Sequence, residues 1–213
     1  MPPVGLLLAG GAGRRMGRPK ALVELDGRPL LLRALDALRG GGCTPLVVVL
    51  GAAADQVAEL LPADVRAVVA ADWAEGMGAS LRAGLDALAR SAELTESPIA
   101  AESSAAAEPS AVLVHLVDLP GVGAAAIARL AKAASAGPEV LARASYHGVP
   151  GHPVLLGRSH WAGVRDSARG DAGARGYLAG HPALRLVECG DLADPRDVDT
   201  PAALWEFTER QTS

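Results

Sequence analysis

Residues 4–20 read Val-Gly-Leu-Leu-Leu-Ala-Gly-Gly-Ala-Gly-Arg-Arg-Met-Gly-Arg-Pro-Lys, an apolar run that passes into a glycine-rich, basic segment. Three glycines in four positions let the backbone turn sharply and bring its N–H groups close to a bound anion. Arg14, Arg15 and Lys20 add side chains that suit phosphate oxygens. The stretch therefore predicts a buried strand followed by a phosphate-binding loop.

Two commoner phosphate-binding motifs do not fit this loop. A P-loop requires Gly-x-x-x-x-Gly-Lys followed by Ser or Thr, whereas Lys20 lies between Pro19 and Ala21. A dinucleotide fingerprint requires a third glycine where this chain has Met16, and Pro19 disfavours a helix running on from the loop. A glycine-rich turn with incidental surface arginines is the plainest alternative.

Further along the chain, apolar runs alternate with segments of helical spacing. Continuous apolar runs, typical of strands buried on both faces, occupy residues 4–9, 46–50, 65–70 and 111–117. Leucines recur at helical spacing after Pro29 and again over residues 81–88, with a shorter version over 57–61. This order predicts an α/β fold with a mostly parallel sheet and crossover helices, in a single domain over 1–213.

The later part of the chain gives less regular signals. Residues 91–110 are rich in Ala, Ser and Glu and offer little apolar surface, so we expect a mobile loop or the tail of a helix there. Strands are predicted at 139–144 and 185–189, and a last helix is predicted from Pro201.

Composition excludes several classes of function. The formal charge is −4 and the isoelectric point is near 5.7, so no broad basic face for duplex nucleic acid is expected. The first apolar run is too short for a membrane span or signal peptide, and Cys43 and Cys189 are too few for a disulfide framework. We expect a cytoplasmic protein that binds neither membrane nor nucleic acid.

Two acidic residues are candidate metal ligands. Asp118 follows an apolar strand, and ligands of open α/β sheets bind beyond the carboxyl ends of strands. Magnesium takes hard oxygen ligands, usually one or two carboxylates plus phosphate and water. Asp199 precedes Thr200-Pro201 and is the second candidate, preferred over Asp197. Either aspartate is also well placed simply to cap a following helix.

Other polar positions allow both a binding and a structural interpretation. Gly78 and Ser80 lie in Gly-Met-Gly-Ala-Ser-Leu, where a helix N-terminus offers N–H donors or is only a capping turn. His152 has no zinc-ligand partner at suitable spacing, and a lone histidine is more often structural. Asp171 is suited to a helix cap, and Arg175 to either an acceptor phosphate or solvent.

With these segments in place, the chain resembles the MobA-like NTP transferases, closest to their molybdenum-cofactor cytidylyltransferase branch. The segment Leu-Ala-Gly-Gly-x-Gly-x-Arg-Met-Gly carries the resemblance. Gly-Met-x-x-Ser-Leu, Gly-His-Pro-Val-Leu and Gly-Asp-x-Gly-Ala-Arg follow in the family's order, so that it covers nearly the whole chain. The resemblance implies a three-layer α/β/α Rossmann-like nucleotidyltransferase fold. It implies these roles: nucleotide binding by Leu8, Ala9, Gly10, Gly11, Gly13, Arg14, Arg15, Lys20, Gly78 and Ser80; catalysis by Arg15, Lys20 and Asp118; Mg²⁺ binding by Asp118 and Asp199; and acceptor binding by His152, Asp171 and Arg175.

The implied reaction transfers an NMP from an NTP to a phosphorylated acceptor and releases pyrophosphate. The resemblance favours molybdopterin as the acceptor, CTP as the donor and a molybdoenzyme as the recipient of the product. Gly10 stands where cytidylyltransferases usually have Ala and guanylyltransferases have Gly, which keeps GTP open. Two alternatives remain: a transferase acting on a sugar phosphate or other metabolite, and a non-catalytic chaperone that binds a molybdopterin nucleotide.

Overall fold

The computed structural model describes residues 1–95 and 109–211. Within these ranges the strands are β1 (Val4–Leu8), β2 (Glu24–Leu25), β3 (Arg28–Pro29), β4 (Leu46–Leu50), β5 (Val65–Val69), β6 (Ala111–Leu116), β7 (Leu141–Tyr146), β8 (Val149–Gly157) and β9 (Arg185–Glu188). The α-helices are α1 (Leu30–Gly40), α2 (Ala54–Ala58), α3 (Met77–Thr95), α4 (Ala124–Ala131), α5 (Trp161–Ser167), α6 (Arg175–Leu178) and α7 (Pro201–Gln211). No helix in these ranges is long and apolar enough to cross a membrane.

Seven strands form one sheet in the order β5-β4-β1-β6-β8-β7-β9, and β2 pairs with β3 in a separate hairpin. Every neighbouring pair in the large sheet is parallel except the two that involve β8. From β1 the chain moves outward through β4 and β5, then returns to the other side of β1 as β6. The ends of β1 and β6 therefore flank the point where the strand order reverses, which is where open α/β sheets bind ligands.

Helices cover both faces of the sheet, which confirms the predicted three-layer α/β/α fold. Alternate residues of β1 point to opposite faces, so Leu7 belongs to one core and Leu6 to the other. The first core is closed by α1 and α4, through Leu35 and Ile127 among others, and the second by α3 and α5. β1 and β4 are buried along their whole length, as their unbroken apolar sequences predict. The same prediction was wrong for β5, which lies at the edge of the sheet and exposes Arg66 and Val69.

Several boundaries differ from the predicted ones for a common reason. Ala9, Ala70 and Val117 were included in strands, but each lies just beyond the last residue of its strand. All three are buried, so their apolar character reports burial rather than sheet pairing. The strand predicted at 139–144 spans Leu141–Tyr146, and the strand predicted at 185–189 spans Arg185–Glu188.

The segment predicted as a loop or helix tail is divided by the structure. Residues 91–95 continue α3, in agreement with the helix-tail alternative. Residues 96–108 lie outside the described part of the chain. The β2–β3 hairpin was missed, although Asp26 and Gly27 both have positive φ, as the commonest two-residue hairpin turn requires.

Candidate active site

A cleft with a volume of about 690 Å³ opens at the carboxyl ends of β1 and β6. Its walls come from residues 8–20, 73–80, 116–118, 171–175 and 197–199. It thus brings together the glycine-rich loop, the start of α3, the segment after β6, the segment that leads into α6 and the segment before α7. Five regions that are distant in sequence meet at the point where the strand order reverses.

The conformation of the glycine-rich loop depends on Gly13. This residue has φ +60°, and a Cβ added there would lie 1.9 Å from the carbonyl oxygen of Arg18. Only glycine allows so close an approach. The N–H of Met16 donates to the carbonyl of Gly13 (2.9 Å), and the Met16 side chain is buried in the core. With Met16 anchored, Arg14 and Arg15 remain exposed beside the cleft.

One end of the cleft is formed by close contacts around Gly10. A Cβ on Gly10 would lie 2.9 Å from the Ser80 hydroxyl oxygen, and one on Gly51 would lie 2.6 Å from Cβ of Trp73. The carbonyl of Gly10 also accepts the N–H of Ala52 (3.0 Å). Sequence reasoning missed Gly51 and Trp73. Trp73 had a usable signal, because it is one of six aromatic residues and lies three positions before Gly76-Met77-Gly78.

Four charged side chains converge in the cleft. The Lys20 ammonium lies 2.6 Å from a carboxylate oxygen of Asp118 and also hydrogen-bonds to Asp199. Arg15 donates to the other oxygen of Asp199 at 3.0 Å. Lys20 and Asp118 are only 18% and 17% exposed, so this ion pair is partly shielded from solvent. The two aspartates that the sequence proposed as metal ligands therefore share Lys20, and Asp199 also pairs with Arg15.

Backbone hydrogen bonds hold together the segments that carry these side chains. The N–H of Val198 donates to the carbonyl of Asp118 (2.9 Å), which ties the segment before α7 to the segment after β6. Thr200 caps α7, because its hydroxyl accepts the N–H of Ala203 at 3.1 Å. The carboxylate of Asp199 is thereby left to face Lys20.

The electrostatics keep Lys20 charged. Burial by itself lowers the pKa of the Lys20 ammonium, but the charge of Asp118 and hydrogen bonds to Asp118 and Asp199 outweigh it. The net effect raises the pKa of Lys20 above its ordinary value. Two carboxylates that share one cation also suit a hard divalent metal that keeps phosphate and water ligands. Across the described residues, no group of three or more His, Cys, Asp or Glu side chains is assembled as a metal site.

The remaining predicted residues fall into two groups. Leu8, Gly10, Gly11, Gly13, Arg14, Arg15, Lys20, Ser80, Asp118, Asp171, Arg175 and Asp199 all line the cleft. Ala9, Gly78 and His152 do not. Ala9 is buried in the core, and Gly78 packs against the backbone of Arg169, 2.9 Å from where its Cβ would be.

His152 lies in a second, smaller cavity that adjoins the cleft. The two spaces share Leu8, Met77 and Arg175 as lining residues. Burial, together with the charge of Arg143, lowers the pKa of His152 to about 4. Sequence reasoning missed Arg143, which also lines this cavity. Its signal was a lone charged residue within an otherwise uncharged strand.

Comparison with known proteins identifies the family of this chain. A family model described as the MobA-like NTP transferase domain matches residues 5–186. The chain belongs to this family. MobA-like proteins are nucleotidyltransferases that use an NTP and act on small substrates, so the resemblance found in the sequence is confirmed at family level.

Individual relatives of this MobA-like chain carry diverse names. Nicotine blue oxidoreductase from Paenarthrobacter nicotinovorans is 37% identical over 95% of this chain and 95% of that protein. A probable molybdenum cofactor guanylyltransferase from Opitutus terrae is 34% identical over 65% of this chain and 59% of that protein. The structure of Rv0371c from Mycobacterium tuberculosis H37Rv has a TM-score of 0.74 at 26% identity and covers 98% of both chains. Its complex with manganese has a TM-score of 0.72 at 24% identity, over 98% of this chain and 99% of that one.

Proposed function

We propose that this chain transfers an NMP from an NTP, with CTP favoured, to a phosphorylated acceptor of the molybdopterin type and releases pyrophosphate. The observation that carries the proposal is the contact of Lys20 with both Asp118 and Asp199 beneath the glycine-rich loop. In this proposal, the triphosphate of an NTP in the loop contacts the Lys20 ammonium, and a divalent cation links it to the two carboxylates.

The chemistry requires positioning more than proton transfer. An oxygen of the acceptor phosphate attacks the α-phosphorus of the NTP, and the bond from that phosphorus to the bridging β-phosphate oxygen breaks. The electron pair of this bond leaves with pyrophosphate. Because the attacking oxygen is already anionic, no general base is needed. Arg15 and Lys20 neutralise the charge that develops on the transferring and leaving groups, while the loop N–H groups orient the triphosphate.

Asp118 and Asp199 are the residues that would hold a divalent cation. When bound, such an ion supplies Lewis-acid polarisation of the α-phosphate. The two carboxylates suit a divalent cation, because both already contact the same ammonium group of Lys20. Such oxygen ligands suit Mg²⁺ as well as the Mn²⁺ found with Rv0371c. With a metal bound, Asp118 and Asp199 would hold the ion, and the Lys20 ammonium would be available to pair with the phosphates.

The choice of acceptor rests on relatives and on the acceptor-side residues. The guanylyltransferase relative acts on molybdenum cofactor by its name, and Asp171 and Arg175 line the same cleft as the glycine-rich loop. The resemblance favours CTP as the donor, and Gly10, which stands where guanylyltransferases have Gly, makes GTP the alternative donor. A sugar phosphate is the alternative acceptor, and a non-catalytic chaperone is the alternative without turnover.

A second candidate function comes from one specific comparison. The relative with 37% identity over 95% of both chains is named an oxidoreductase of nicotine blue. Redox chemistry on an aromatic pigment would make the cleft a site for a planar substrate rather than for phosphate transfer. The ion cluster of Lys20, Asp118 and Asp199 has no evident use in that chemistry, so we place it second.

The proposal is tested by pyrophosphate release with CTP, GTP, UTP and ATP, each with magnesium and a molybdopterin acceptor. We expect turnover with CTP in preference to the other three NTPs, and a loss of at least about 100-fold in Asp118→Ala, in line with removal of an electrostatic group from a reaction centre. Asp64→Ala is the matched control, because Asp64 is an exposed aspartate paired with Arg39 away from the cleft. Full activity of Asp118→Ala would refute the metal assignment. Nicotine blue reduction without any pyrophosphate release would favour the second candidate.

A further inference from the structure

Two segments that lie outside the central sheet face each other across the candidate cleft. One, which we call the α3 wall, comprises residues 73–80 at the start of α3. The other, the α6 wall, comprises residues 168–175, from the end of α5 to the start of α6. Ser80 lines the cleft from the α3 wall, and Asp171 and Arg175 line it from the α6 wall. The separation of the two walls therefore sets how two molecules bound in the cleft lie relative to each other.

The two walls meet backbone to backbone. Gly76 has φ +115°, and a Cβ added to it would lie 2.6 Å from Oδ1 of Asp171 and 2.6 Å from the carbonyl carbon of Gly170. A Cβ on Gly78 would lie 2.9 Å from the backbone nitrogen of Arg169. Glycine permits this close approach because it has no side chain. Each van der Waals contact between two atoms is weak, so directional bonds are needed to hold the walls at a fixed separation.

Arg82 links the two walls through one guanidinium group. Its Nη1 donates to the carbonyl of Ala168 at 2.7 Å, and its Nη2 donates to the carboxylate of Glu75 at 2.8 Å. Glu75 belongs to the α3 wall and Ala168 to the α6 wall, while Arg82 itself lies on α3. The guanidinium is planar and its donors form a rigid fork, so it holds its two partners at a fixed angle to each other.

The hydrogen bond to Ala168 is the stronger of the two. The Arg82 side chain is 24% exposed and Ala168 is fully buried, whereas the Glu75 side chain is 61% exposed. A charge-assisted hydrogen bond is stronger where solvent is excluded, and an exposed ion pair contributes little. The Ala168 carbonyl also accepts a donor of Arg169 at 2.9 Å, so it keeps a partner when Arg82 is replaced. Replacing Arg82 therefore loosens the α6 wall without leaving a buried carbonyl unpaired.

A second ion pair between α3 and α5 provides a comparison. Nε of Arg165 on α5 lies 2.6 Å from Oδ1 of Asp86 on α3. Asp86 follows Arg82 by about one helical turn, further along α3 from the residues that line the cleft. Arg165 and Asp86 are not among the residues that line the described part of the cleft. This pair thus joins the same region of α3 to α5 without linking the two walls.

We propose that Arg82 is a positioning residue for nucleotidyl transfer, which fixes the α6 wall at the separation from the α3 wall that attack on the NTP requires. It acts through Asp171 and Arg175, since Arg82 is itself not among the described residues that line the cleft. This inference rests on the proposed nucleotidyl transfer. A reaction between two bound molecules is sensitive to such placement, and a displacement of about 1 Å can cost about 100-fold in rate.

The kinetics of pyrophosphate release from CTP and molybdopterin, with magnesium, test this role. At saturating CTP, Arg82→Met should lower kcat at least about tenfold while the Kd for CTP, measured by calorimetry, stays within about twofold. Arg82→Lys keeps the charge and one hydrogen bond but loses the fork, so its kcat should exceed that of Arg82→Met by at least about threefold. Arg165→Met is the matched control, and it should leave kcat and Kd within about twofold of wild type because its ion pair is exposed.

Equal losses of kcat in Arg82→Met and Arg165→Met, or no loss in either, would show that Arg82 has only a structural role. A loss of CTP affinity in Arg82→Met as large as its loss of kcat would also overturn the proposal, because the nucleotide site itself would then be damaged. If Arg82→Met does not fold, Glu75→Gln tests the same guanidinium through its exposed partner. That variant should lower kcat about twofold to fivefold with unchanged CTP affinity, and an unchanged kcat would refute the link.

Amide hydrogen exchange, which needs no turnover, distinguishes failure of the positioning role from failure of the proposed function. Arg82→Met should speed the exchange of residues 168–175 at least about threefold and leave β6 unchanged, whereas Arg165→Met should change neither. If the wild type releases no pyrophosphate with any NTP while exchange in residues 168–175 still depends on Arg82, nucleotidyl transfer is wrong and the link between the walls stands. Identical exchange of these residues in the wild type and Arg82→Met would mean that the inference is wrong, whatever the activity.

Discussion

At the scale of single residues, Lys20 occupies the place between two carboxylates that a divalent cation would also favour. Removing its charge therefore has two opposite effects. We predict that Lys20→Met weakens NTP binding but strengthens Mn²⁺ binding to the nucleotide-free protein by about threefold to tenfold, because a competing cation is lost. Electron paramagnetic resonance of free Mn²⁺ measures this directly. Lys132→Met changes the other lysine of the chain, which is exposed, and should have no effect. Weaker Mn²⁺ binding in Lys20→Met would contradict the assignment.

His115 is a residue whose polarity is not used by the fold. It is fully buried in β6, and neither ring nitrogen has a hydrogen-bond partner among the residues that the structure describes. His160 is also buried, but its nitrogens contact the Tyr177 hydroxyl at 2.9 Å and the Glu139 carbonyl at 3.1 Å. We predict that His115→Leu raises the free energy of unfolding by about 1 kcal/mol and that His160→Leu lowers it by about 1–3 kcal/mol. Urea unfolding at neutral pH gives both values. Equal losses in the two variants would show that His115 has a partner.

At the scale of elements, the glycine-rich loop offers a matched pair of substitutions. Gly13 and Gly17 both have positive φ, but only Gly13 has a backbone oxygen where a Cβ would lie. We predict that Gly17→Ala costs about 1–2 kcal/mol of stability and leaves NTP affinity within about threefold. Gly13→Ala must also move the segment at Arg18, so its NTP affinity should fall more than tenfold. Thermal unfolding and calorimetry measure the two effects. Equal affinities in the two variants would mean that loop geometry does not set nucleotide binding.

A helix or strand is predicted well when the sequence pattern that specifies it lies within the element itself. β1, β4 and β6 read as continuous apolar runs because both of their faces are buried, and α1 begins after Pro29 with a regular leucine spacing. The sequence of β8 shows no regular apolar pattern, because its pairing with β7 is irregular and its burial changes along the strand. Its start, Val149 to His152, is partly or fully exposed, while the rest is buried.

The residues of the candidate site were likewise predictable where they carry a local sequence signal. The loop, Asp118 and Asp199 carry local signals, namely glycine spacing, a carboxylate after a strand and a Thr-Pro helix start. Arg143 and Trp73 are unusual residues for their segments, but sequence alone does not place them at the two cavities, because that placement depends on how distant segments pack. Whether Lys20 would touch one aspartate or both was likewise undetermined by spacing, since it follows from the contact of Val198 with Asp118.

At the scale of the whole molecule, two buried neutral histidines make stability depend on pH. The pKa of His115 is lowered to about 3 and that of His152 to about 4, both mainly by burial, whereas the unfolded chain takes up these protons near pH 6.5. Their contribution is therefore fully present above about pH 6.5 and is lost as the pH falls toward 4. Each histidine contributes a slope of about 1.4 kcal/mol per pH unit in this window. Urea unfolding between about pH 4 and 7 measures it.

The same measurement on His115→Leu isolates one of the two groups. Its stability curve should be flatter than that of the wild type by about 1.4 kcal/mol per pH unit between about pH 4 and 6. An unchanged slope would show that His115 becomes protonated in the folded protein.

The division of the binding surface between distant segments has an evolutionary consequence. The groups proposed to hold the triphosphate follow β1 and β6, whereas Arg143, His152 and Arg175 come from β7, β8 and α6. Substitutions in the second set can change which molecule is modified while the donor half is inherited intact. A lineage built this way diversifies by exchanging one half of a bipartite pocket. That history suits relatives whose names refer to a pigment in one case and a metal cofactor in another.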